Sequence, residues 1–211
     1  MLHVAPEPEP SAFNAAVRIP GGRALLERAG KASDRTTNRY RKVADSCDGI
    51  PARKLPPLWR ACLPDLYSAY LGICSYAGMR INRVTGTGTA DHYLPKDASN
   101  GLAYEWSNYR LACPLLNARK GNAADVLDPF DVQDDWFEME FTFFQVRPRP
   151  GLSGRDAESV QATIDRLGLN SAEFLAEREA FVQHYADGNT EQWLRAEAPF
   201  VYHQMYRAGV L

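Results

Sequence analysis

The sequence lacks long apolar runs, a secretory leader and a regular cysteine pattern. No stretch approaches the roughly 18 consecutive apolar residues that a membrane-spanning helix needs, so we expect no transmembrane segment. The first residues, MLHVAPEPEPSAF, do not place an apolar region after a basic one, which is the pattern of a secretory signal. The cysteines are irregularly spaced and do not form a disulfide framework: Cys47, Cys62, Cys74 and Cys113. We therefore expect a cytoplasmic protein that binds no membrane.

The composition is that of a globular chain with an uneven charge distribution. Its 211 residues are 45% hydrophobic and 11% aromatic, enough to bury a core in one compact domain or in a small catalytic core with helical additions. Basic residues predominate between positions 18 and 60, whereas positions 121–146 contain acidic residues and no Lys or Arg. This asymmetry indicates either a polyanion-facing side and a partner-facing side, or ordinary solvated faces of helices and loops.

Composition and periodicity divide the chain into four regions. They are a flexible Pro-rich tail (1–20), a basic N-terminal helical region (21–65), a central core (66–130), and a strand followed by helices that packs with the core as one domain (131–211). The basic region should contain one surface helix over residues 22–44, because its apolar residues are few.

The C-terminal region is predicted to combine one strand with three helices. The segment WFEMEFTFFQV alternates apolar and polar residues, which predicts a single half-buried strand at 136–146. Helical patterns follow at residues 157–167, 171–185 and 190–208.

The hydrophobic period changes in the central core. The residues GTGTADHYL are rich in glycine and threonine and predict a short strand leading into a loop, and YRLAC predicts a second short strand. Pro114 suits the first turn of a helix, PLLNARKG, which Gly121 should end. The predicted local order is strand, loop, strand, helix.

Five polar residues along these elements suit phosphodiester hydrolysis, which needs a base for water, oxygen ligands for a hard cation and positive charge near the phosphate. Adjacent strand residues point to opposite sides, so Asp91 can provide a metal ligand while His92 faces the water. Asn117 can add a carbonyl oxygen to the same Mg²⁺ or Mn²⁺ ion, and Lys120 can reach a phosphate. Asn108 can pin the intervening loop through its backbone.

The series DH, then WSNYRLAC, then NARKG resembles the signature of HNH endonucleases, which have a ββα-metal fold. Carried over by position, the resemblance implies these roles: His92 as general base, Asn108 as the residue that orients the loop, Asp91 and Asn117 as metal ligands, and Lys120 as the common basic residue. It covers residues 66–130 well. The fold that it implies is α+β, a ββα-metal HNH core flanked by N-terminal and C-terminal α-helices.

The activity implied by this resemblance is hydrolysis of DNA with Mg²⁺ or Mn²⁺, with RNA left open as a substrate. The longer run, from DHYLPK through KGN to VLDPF, is similar to HNH proteins of bacterial anti-phage defence systems, where the nuclease often partners an ATPase. Lys96, Arg110 and Arg119 lie close to the motif and are candidate contacts to nucleic acid.

A different class of function is also compatible with the sequence: a nucleic-acid-binding or assembly subunit of a defence complex, with gated or no intrinsic cleavage. The acidic 125–140 stretch and the aromatic C-terminal helix would then be docking surfaces. The presence of His92, of Asp91 and of a lysine three residues after Asn117 favours the enzyme.

The cysteines depart from the pattern of many HNH relatives, which carry a structural zinc ion on two Cys-x-x-Cys pairs. Here the first pair reads CSYA and the second CPLL, which leaves only Cys74 and Cys113. Two thiolates do not complete a tetrahedral structural site, so structural zinc is not expected. The two cysteines are then expected to be buried core residues.

Overall fold

The computed structural model describes residues 1–84, 86–123 and 125–211. The helices within these ranges are α1 (Ile19–Arg28), α2 (Leu63–Ala69), α3 (Pro114–Lys120), α4 (Gly154–Leu167), α5 (Ala172–Ala186), α6 (Glu191–Glu197) and α7 (Pro199–Ala208). The strands are β1 (Thr89–His92), β2 (Tyr109–Ala112), β3 (Phe137–Met139) and β4 (Val146–Pro148). Helices and two small antiparallel sheets, β1–β2 and β3–β4, make this a mixed α+β chain, as predicted.

The central core has the predicted order of strand, loop, strand and helix. In the β1–β2 pair, Asp91 lies opposite Arg110 and His92 opposite Tyr109. The loop between the strands contains two short 3₁₀ turns, Asn100–Tyr104 and Trp106–Asn108, so it is a compact connection.

Proline and glycine set the two ends of α3. Pro114 occupies the first turn of the helix, where its missing N–H has no intrahelical partner to lose. Gly121 follows the last helical residue with φ +51°, a left-handed conformation that glycine adopts without a steric penalty. The sequence signals for this helix are therefore confirmed.

The predicted helix at 22–44 is wrong beyond its first turns. A π-helical turn (Asn14–Arg18) leads into α1, which ends at Arg28, and Gly30 follows with φ +72°. From residue 31 the chain is irregular because apolar residues are too sparse to form a helical stripe.

A buried carboxylate organises this irregular segment. The Glu27 side chain is 1% exposed and accepts hydrogen bonds from the backbone N–H groups of Arg39 and Tyr40, at 2.7 and 2.9 Å. It also accepts from the Ser33 hydroxyl at 3.0 Å and from Arg35 at 3.2 Å. The Glu27 side chain therefore accepts two backbone N–H groups that would have been paired with carbonyls in a helix.

The N-terminal segment packs against the domain, in contrast to the flexible tail expected there. Its first residues have no regular secondary structure, but the Met1 side chain is buried and Val4 N–H donates to the Pro129 carbonyl at 2.8 Å. Phe13 is fully buried and contacts the edges of the Trp106 and Tyr109 rings. Apolar side chains on either side of the proline-rich run thus hold the segment in place.

Two predictions for the C-terminal region need correction. The residues 136–146 form a hairpin, with β3 paired to β4, because the Glu140 carboxylate accepts the backbone N–H groups of Thr142 and Phe143 and turns the chain. The predicted helix at 190–208 is divided into α6 and α7 at Pro199, which cannot donate an intrahelical hydrogen bond.

Four of the seven acidic residues between positions 125 and 140 form ion pairs within the domain. Asp128 holds Arg110 through two hydrogen bonds, at 2.7 and 2.5 Å, and both side chains are buried. Exposed pairs account for three further acids: Asp125–Arg166, Asp135–Arg149 and Glu138–Arg147. These contacts neutralise part of the stretch, while Asp131, Asp134 and Glu140 form no ion pair within the described ranges.

All four sequence regions share one hydrophobic core. The buried cluster runs from Met1 and Phe13 through Leu66 and Leu111 to Met205. Within the described ranges, no helix has the length and apolar character needed to cross a membrane.

The buried ion pair predicts a large stability difference between two Asp→Asn variants. Asp128→Asn leaves the buried Arg110 guanidinium without a counter-ion, and we expect the free energy of unfolding to fall by about 3–5 kcal/mol. Asp125→Asn removes the partner of the exposed Arg166 and should cost less than about 1 kcal/mol. Urea denaturation followed by tryptophan fluorescence measures both. Equal losses would contradict the proposed difference in burial.

Candidate active site

A cavity of about 200 Å³ lies where the end of β1 meets α3. Three sequence-predicted residues line it, Asp91, His92 and Asn117, together with Lys96. The remaining lining residues are Trp59, Ala90, Pro95, Gly121 and Asn122. The structure therefore brings together a carboxylate, an imidazole, an amide and an ammonium around one small space.

Asp91 is buried, and two side chains hold its carboxylate. The Tyr76 hydroxyl donates to Oδ2 at 2.6 Å, and the Lys120 ammonium donates to Oδ1 at 3.2 Å. Burial raises the pKa of Asp91, while Lys120 and the Tyr76 hydrogen bond act in the opposite direction. The carboxylate is thus fixed in orientation by groups on either side of it.

Lys120 occupies a different position from the one that the sequence suggested. It is 2% exposed, and besides Asp91 its Nζ donates to the backbone carbonyls of His92 and Tyr93, at 3.0 and 3.1 Å. An ammonium has three N–H donors, and these three acceptors use all of them. The expected contact of Lys120 with a phosphate does not fit this geometry, so we assign it to positioning Asp91.

His92 is enclosed by two aromatic rings. Its imidazole lies 4.7 Å from the Trp59 ring and 5.1 Å from the Tyr109 ring, centroid to centroid, both edge-on. Its Nε2 lies 3.0 Å from the Ala103 carbonyl oxygen. A carbonyl oxygen only accepts, so Nε2 carries the proton and Nδ1 carries the lone pair in the neutral ring.

The environment of His92 keeps the imidazole neutral. Burial, and to a smaller degree the positive charge of Lys96, lower its pKa to about 4, while the hydrogen bond to Ala103 opposes the shift. At neutral pH the ring is therefore a proton acceptor at Nδ1.

Asn108 connects the two ends of the loop between β1 and β2. Its Oδ1 accepts from the Leu94 N–H at 2.8 Å, and its Nδ2 donates to the carbonyls of Leu94 and Leu102, at 3.1 and 3.2 Å. Asn108 itself lies away from the cavity lining, so its contribution is to the loop that carries Ala103, the partner of His92.

Asn117 is anchored through its amide nitrogen. Nδ2 donates to Thr89 Oγ1 at 2.9 Å, and within the described ranges its Oδ1 accepts no hydrogen bond. Thr89 and Asp91 are two residues apart on β1 and share one face of the strand. The free amide oxygen therefore lies on the same side of the strand as the Asp91 carboxylate.

The donor set fits a hard divalent cation. Asp91 and Asn117 offer one carboxylate and one amide oxygen, and Mg²⁺ is typically bound by one or two protein carboxylates, with waters and substrate phosphate completing the octahedron. Each Asp91 oxygen retains accepting capacity after its contacts with Tyr76 and Lys120. In the described residues, no group of three or more His, Cys, Asp or Glu side chains could hold a metal ion.

The three candidate nucleic-acid contacts differ in position. Lys96 lines the cavity, with Nζ 4.8 Å from the centre of the Trp59 ring. Arg110 is 4% exposed and donates four hydrogen bonds, to Asp128 and to the carbonyls of Ser107 and Tyr109, so its expected contact with phosphate does not fit. Arg119 donates to the carbonyls of Leu167 and Gly168, which ties α3 to the end of α4. Lys96 is the one of the three at the cavity.

Two residues of the site escaped the sequence analysis. Tyr76 contacts Asp91 from 15 positions earlier in the sequence, and Trp59 contacts His92 from 33 positions earlier. Both lie in segments whose sequence is typical of a hydrophobic core. Only the fold brings their side chains to the predicted residues, and no local pattern indicates it.

No protein-family model and no curated protein sequence matches this chain. The functional assignment therefore depends on the residues and their arrangement.

The environment of His92 predicts a pH dependence of stability. Its pKa is about 4 in the folded protein and about 6.5 in an unfolded chain, so the unfolded state binds the proton first as pH falls. The contribution of His92 to stability is therefore complete above pH 6.5 and decreases between pH 6.5 and 4. A ¹H–¹⁵N NMR titration should give a midpoint near 4 with the Nε2–H tautomer. The resonance is assigned with His92→Gln, and a midpoint near 6.5 would contradict the enclosed ring.

Proposed function

We propose that this protein is a metal-dependent endonuclease of the HNH type, with a ββα-metal core within residues 66–130. The observation that carries the proposal is the cavity where β1 meets α3, which Asp91, His92 and Asn117 line together. A neutral base and a pair of oxygen ligands beside one space meet two of the three requirements of metal-assisted phosphodiester hydrolysis, and Lys96 offers the third, a positive charge.

His92 acts as the general base. Its Nδ1 accepts a proton from a water molecule in the cavity, while the hydrogen bond from Nε2–H to Ala103 holds the tautomer and the ring orientation. The activated water attacks phosphorus in line with the leaving oxygen.

Asp91 and Asn117 are the residues that hold Mg²⁺ or Mn²⁺. The ion, when bound, stabilises negative charge on the phosphate and on the leaving oxygen. Tyr76 and Lys120 keep the Asp91 carboxylate aimed at the cavity, and Thr89 does the same for the Asn117 amide. Lys96 provides the positive charge for a phosphate oxygen.

A basic surface supports nucleic acid as the substrate. Six cations between positions 31 and 60 are exposed and form no ion pair within the described ranges: Lys31, Arg39, Arg41, Arg53, Lys54 and Arg60. The Tyr104 hydroxyl donates to the Pro56 carbonyl, and the Tyr104 ring lies 6.1 Å from Trp59, which lines the cavity. Arg53, Lys54 and Arg60 flank Pro56 and Trp59 in the sequence, so this part of the basic surface lies near the proposed catalytic cavity, where it can attract a polyanion.

The biological setting comes from the sequence resemblance. The proposed substrate is DNA. The proposed role is anti-phage defence in the bacterial cytoplasm, and the proposed partner is an ATPase. The alternative is an assembly subunit without intrinsic cleavage, and one argument for it is weaker because four of the seven acidic residues in the 125–140 stretch pair within the domain.

Cleavage of plasmid DNA tests the proposed chemistry. Purified wild type should cut in Mg²⁺ or Mn²⁺ and not in EDTA, and His92→Ala should reduce the rate by about 100- to 10,000-fold because the general base is removed. Asn117→Ala should raise the metal concentration required. His184→Ala, a change of an exposed histidine on α5, is the matched control and should cut normally.

Two results would overturn parts of this proposal. Normal cleavage by His92→Ala would show that the base is a different group. Proteins that bind DNA but never cut, with any of these metals, would favour the assembly subunit.

Charge reversal tests the basic surface. In the His92→Ala background, Arg39→Glu with Arg41→Glu should weaken binding to a short DNA duplex. The slope of log K against log salt should also decrease by about 0.9 for each phosphate that the variant no longer neutralises. Arg155→Glu with Arg207→Glu changes the net charge equally at exposed positions of α4 and α7. Fluorescence anisotropy measures both pairs, and equal weakening would mean that net charge alone matters.

A further inference from the structure

Cys74 and Cys113 lie side by side although they are far apart in sequence. The Cys113 backbone N–H donates to Cys74 Sγ at 3.4 Å, and both cysteines line the same cavity. Cys74 is 1% exposed and Cys113 is partly exposed. The expectation of two ordinary buried core cysteines therefore holds for the burial of Cys74 but does not describe the contact between the two residues.

The backbone already holds these two segments together. Ser75, the residue after Cys74, donates its N–H to the carbonyl of Leu111 at 2.8 Å. Leu111 lies two residues before Cys113. Cys74 N–H in turn donates to the Met79 carbonyl at 2.9 Å, which closes the turn that Cys74 begins. A disulfide needs the backbones of its two cysteines to lie close together, and hydrogen bonds already hold these two segments next to each other. We therefore expect a bridge to form with little rearrangement.

A small cavity gives a reagent access to the pair. It has a volume of about 240 Å³ and is lined by both cysteines, with Met79, Arg80 and Pro114 among its other residues. This space is separate in its lining from the cavity that contains Asp91 and His92. A molecule as small as hydrogen peroxide can therefore reach the sulfurs without passing the proposed catalytic site.

The two thiols differ in reactivity. Cys113 immediately precedes α3, and the pKa of its thiol is lowered to about 6, chiefly by the neighbouring Cys74 thiol and against the effect of burial. The neighbouring Cys113 thiol, together with burial, raises the pKa of Cys74. Since the thiolate is the nucleophile, Cys113 reacts first and Cys74 is placed to resolve the product.

We propose that Cys74 and Cys113 form a redox-active pair that peroxide converts to a disulfide. The Cys113 thiolate attacks one oxygen of hydrogen peroxide, the O–O bond breaks, and Cys113 sulfenic acid and hydroxide form. Cys74 gives up its proton and attacks the Cys113 sulfur, the S–O bond breaks, and the second oxygen leaves as water. In sum, two thiols and one peroxide yield one disulfide and two waters, with two electrons passing from sulfur to oxygen.

The bridge would join the elements that hold the candidate active site. Cys113 lies between β2 and α3, the helix that carries Asn117. Cys74 lies two residues before Tyr76, whose hydroxyl holds Asp91. Oxidation therefore fixes the spacing between the two supports of the proposed metal ligands, although the redox chemistry itself does not depend on the proposed nuclease activity.

Peroxide treatment followed by peptide mapping tests the pair. Reduced protein at pH 7, given stoichiometric hydrogen peroxide, should lose two of its four thiols and yield a Cys74–Cys113 disulfide peptide that dithiothreitol reverses. The unfolding midpoint of the oxidised protein should rise. Cys47→Ser, at a partly exposed cysteine outside the pair, is the matched control and should form the same bridge.

Variants of the pair separate the two steps. Cys74→Ala should accumulate Cys113 sulfenic acid, detected with dimedone, because no thiol resolves it. Cys113→Ala should leave Cys74 unmodified. The proposal is overturned if wild type forms no bridge, if the bridge involves Cys47 or Cys62, or if Cys113 proceeds to sulfinic acid with Cys74 still reduced. Peptide mapping of wild type remains decisive if either alanine variant fails to fold.

Discussion

The buried ammonium of Lys120 is the interaction on which the candidate site depends. A charge removed from water must direct every N–H to an acceptor, and here the acceptors are the Asp91 carboxylate and two consecutive carbonyls at the end of β1. The requirement fixes the last turn of α3 against the strand. Asn117 lies one turn earlier on the same helix, so its distance from Asp91 is set by the same contact. The relative positions of the Asp91 and Asn117 oxygens, the proposed metal ligands, thus depend on the hydrogen bonds of Lys120.

The two neighbours on β1 receive opposite environments from this packing. Asp91 faces the ammonium and the tyrosine hydroxyl, which stabilise its charge, whereas His92 faces Trp59 and Tyr109, which disfavour a charge on the ring. Two adjacent residues can therefore have different proposed tasks: the Asp91 carboxylate can bind a cation, and the neutral His92 imidazole can accept a proton. The alternation of side chains along a strand is sufficient to produce this separation.

The local order around the site could be predicted from the sequence, but the roles of its basic residues could not. Pro114 and Gly121 act on the backbone directly, so their positions reveal the ends of α3 without tertiary information. Lys120 and Arg110 look like exposed cations in the sequence. Their burial depends on partners that the fold brings close, of which Asp128 is 18 positions away from Arg110.

The same limit explains the remaining differences. Tyr76 has no pattern that links it to Asp91, and the helix expected over 22–44 is replaced by a loop around the Glu27 carboxylate. Residues that act through neighbours in the chain were predictable. Residues that act through contacts distant in sequence were not predictable, because a single sequence does not show which distant residues lie close together in space.

The loop around Glu27 has a consequence for how this part of the molecule exchanges with solvent. The amide protons of Arg39 and Tyr40 end on a carboxylate with 1% exposure, so they are sheltered although the segment has no helix or strand. Each proton exchanges only after its hydrogen bond to the carboxylate breaks, and the same carboxylate also accepts from Ser33 and Arg35. We therefore expect the amides of Arg39 and Tyr40 to exchange more slowly than those of an ordinary surface loop.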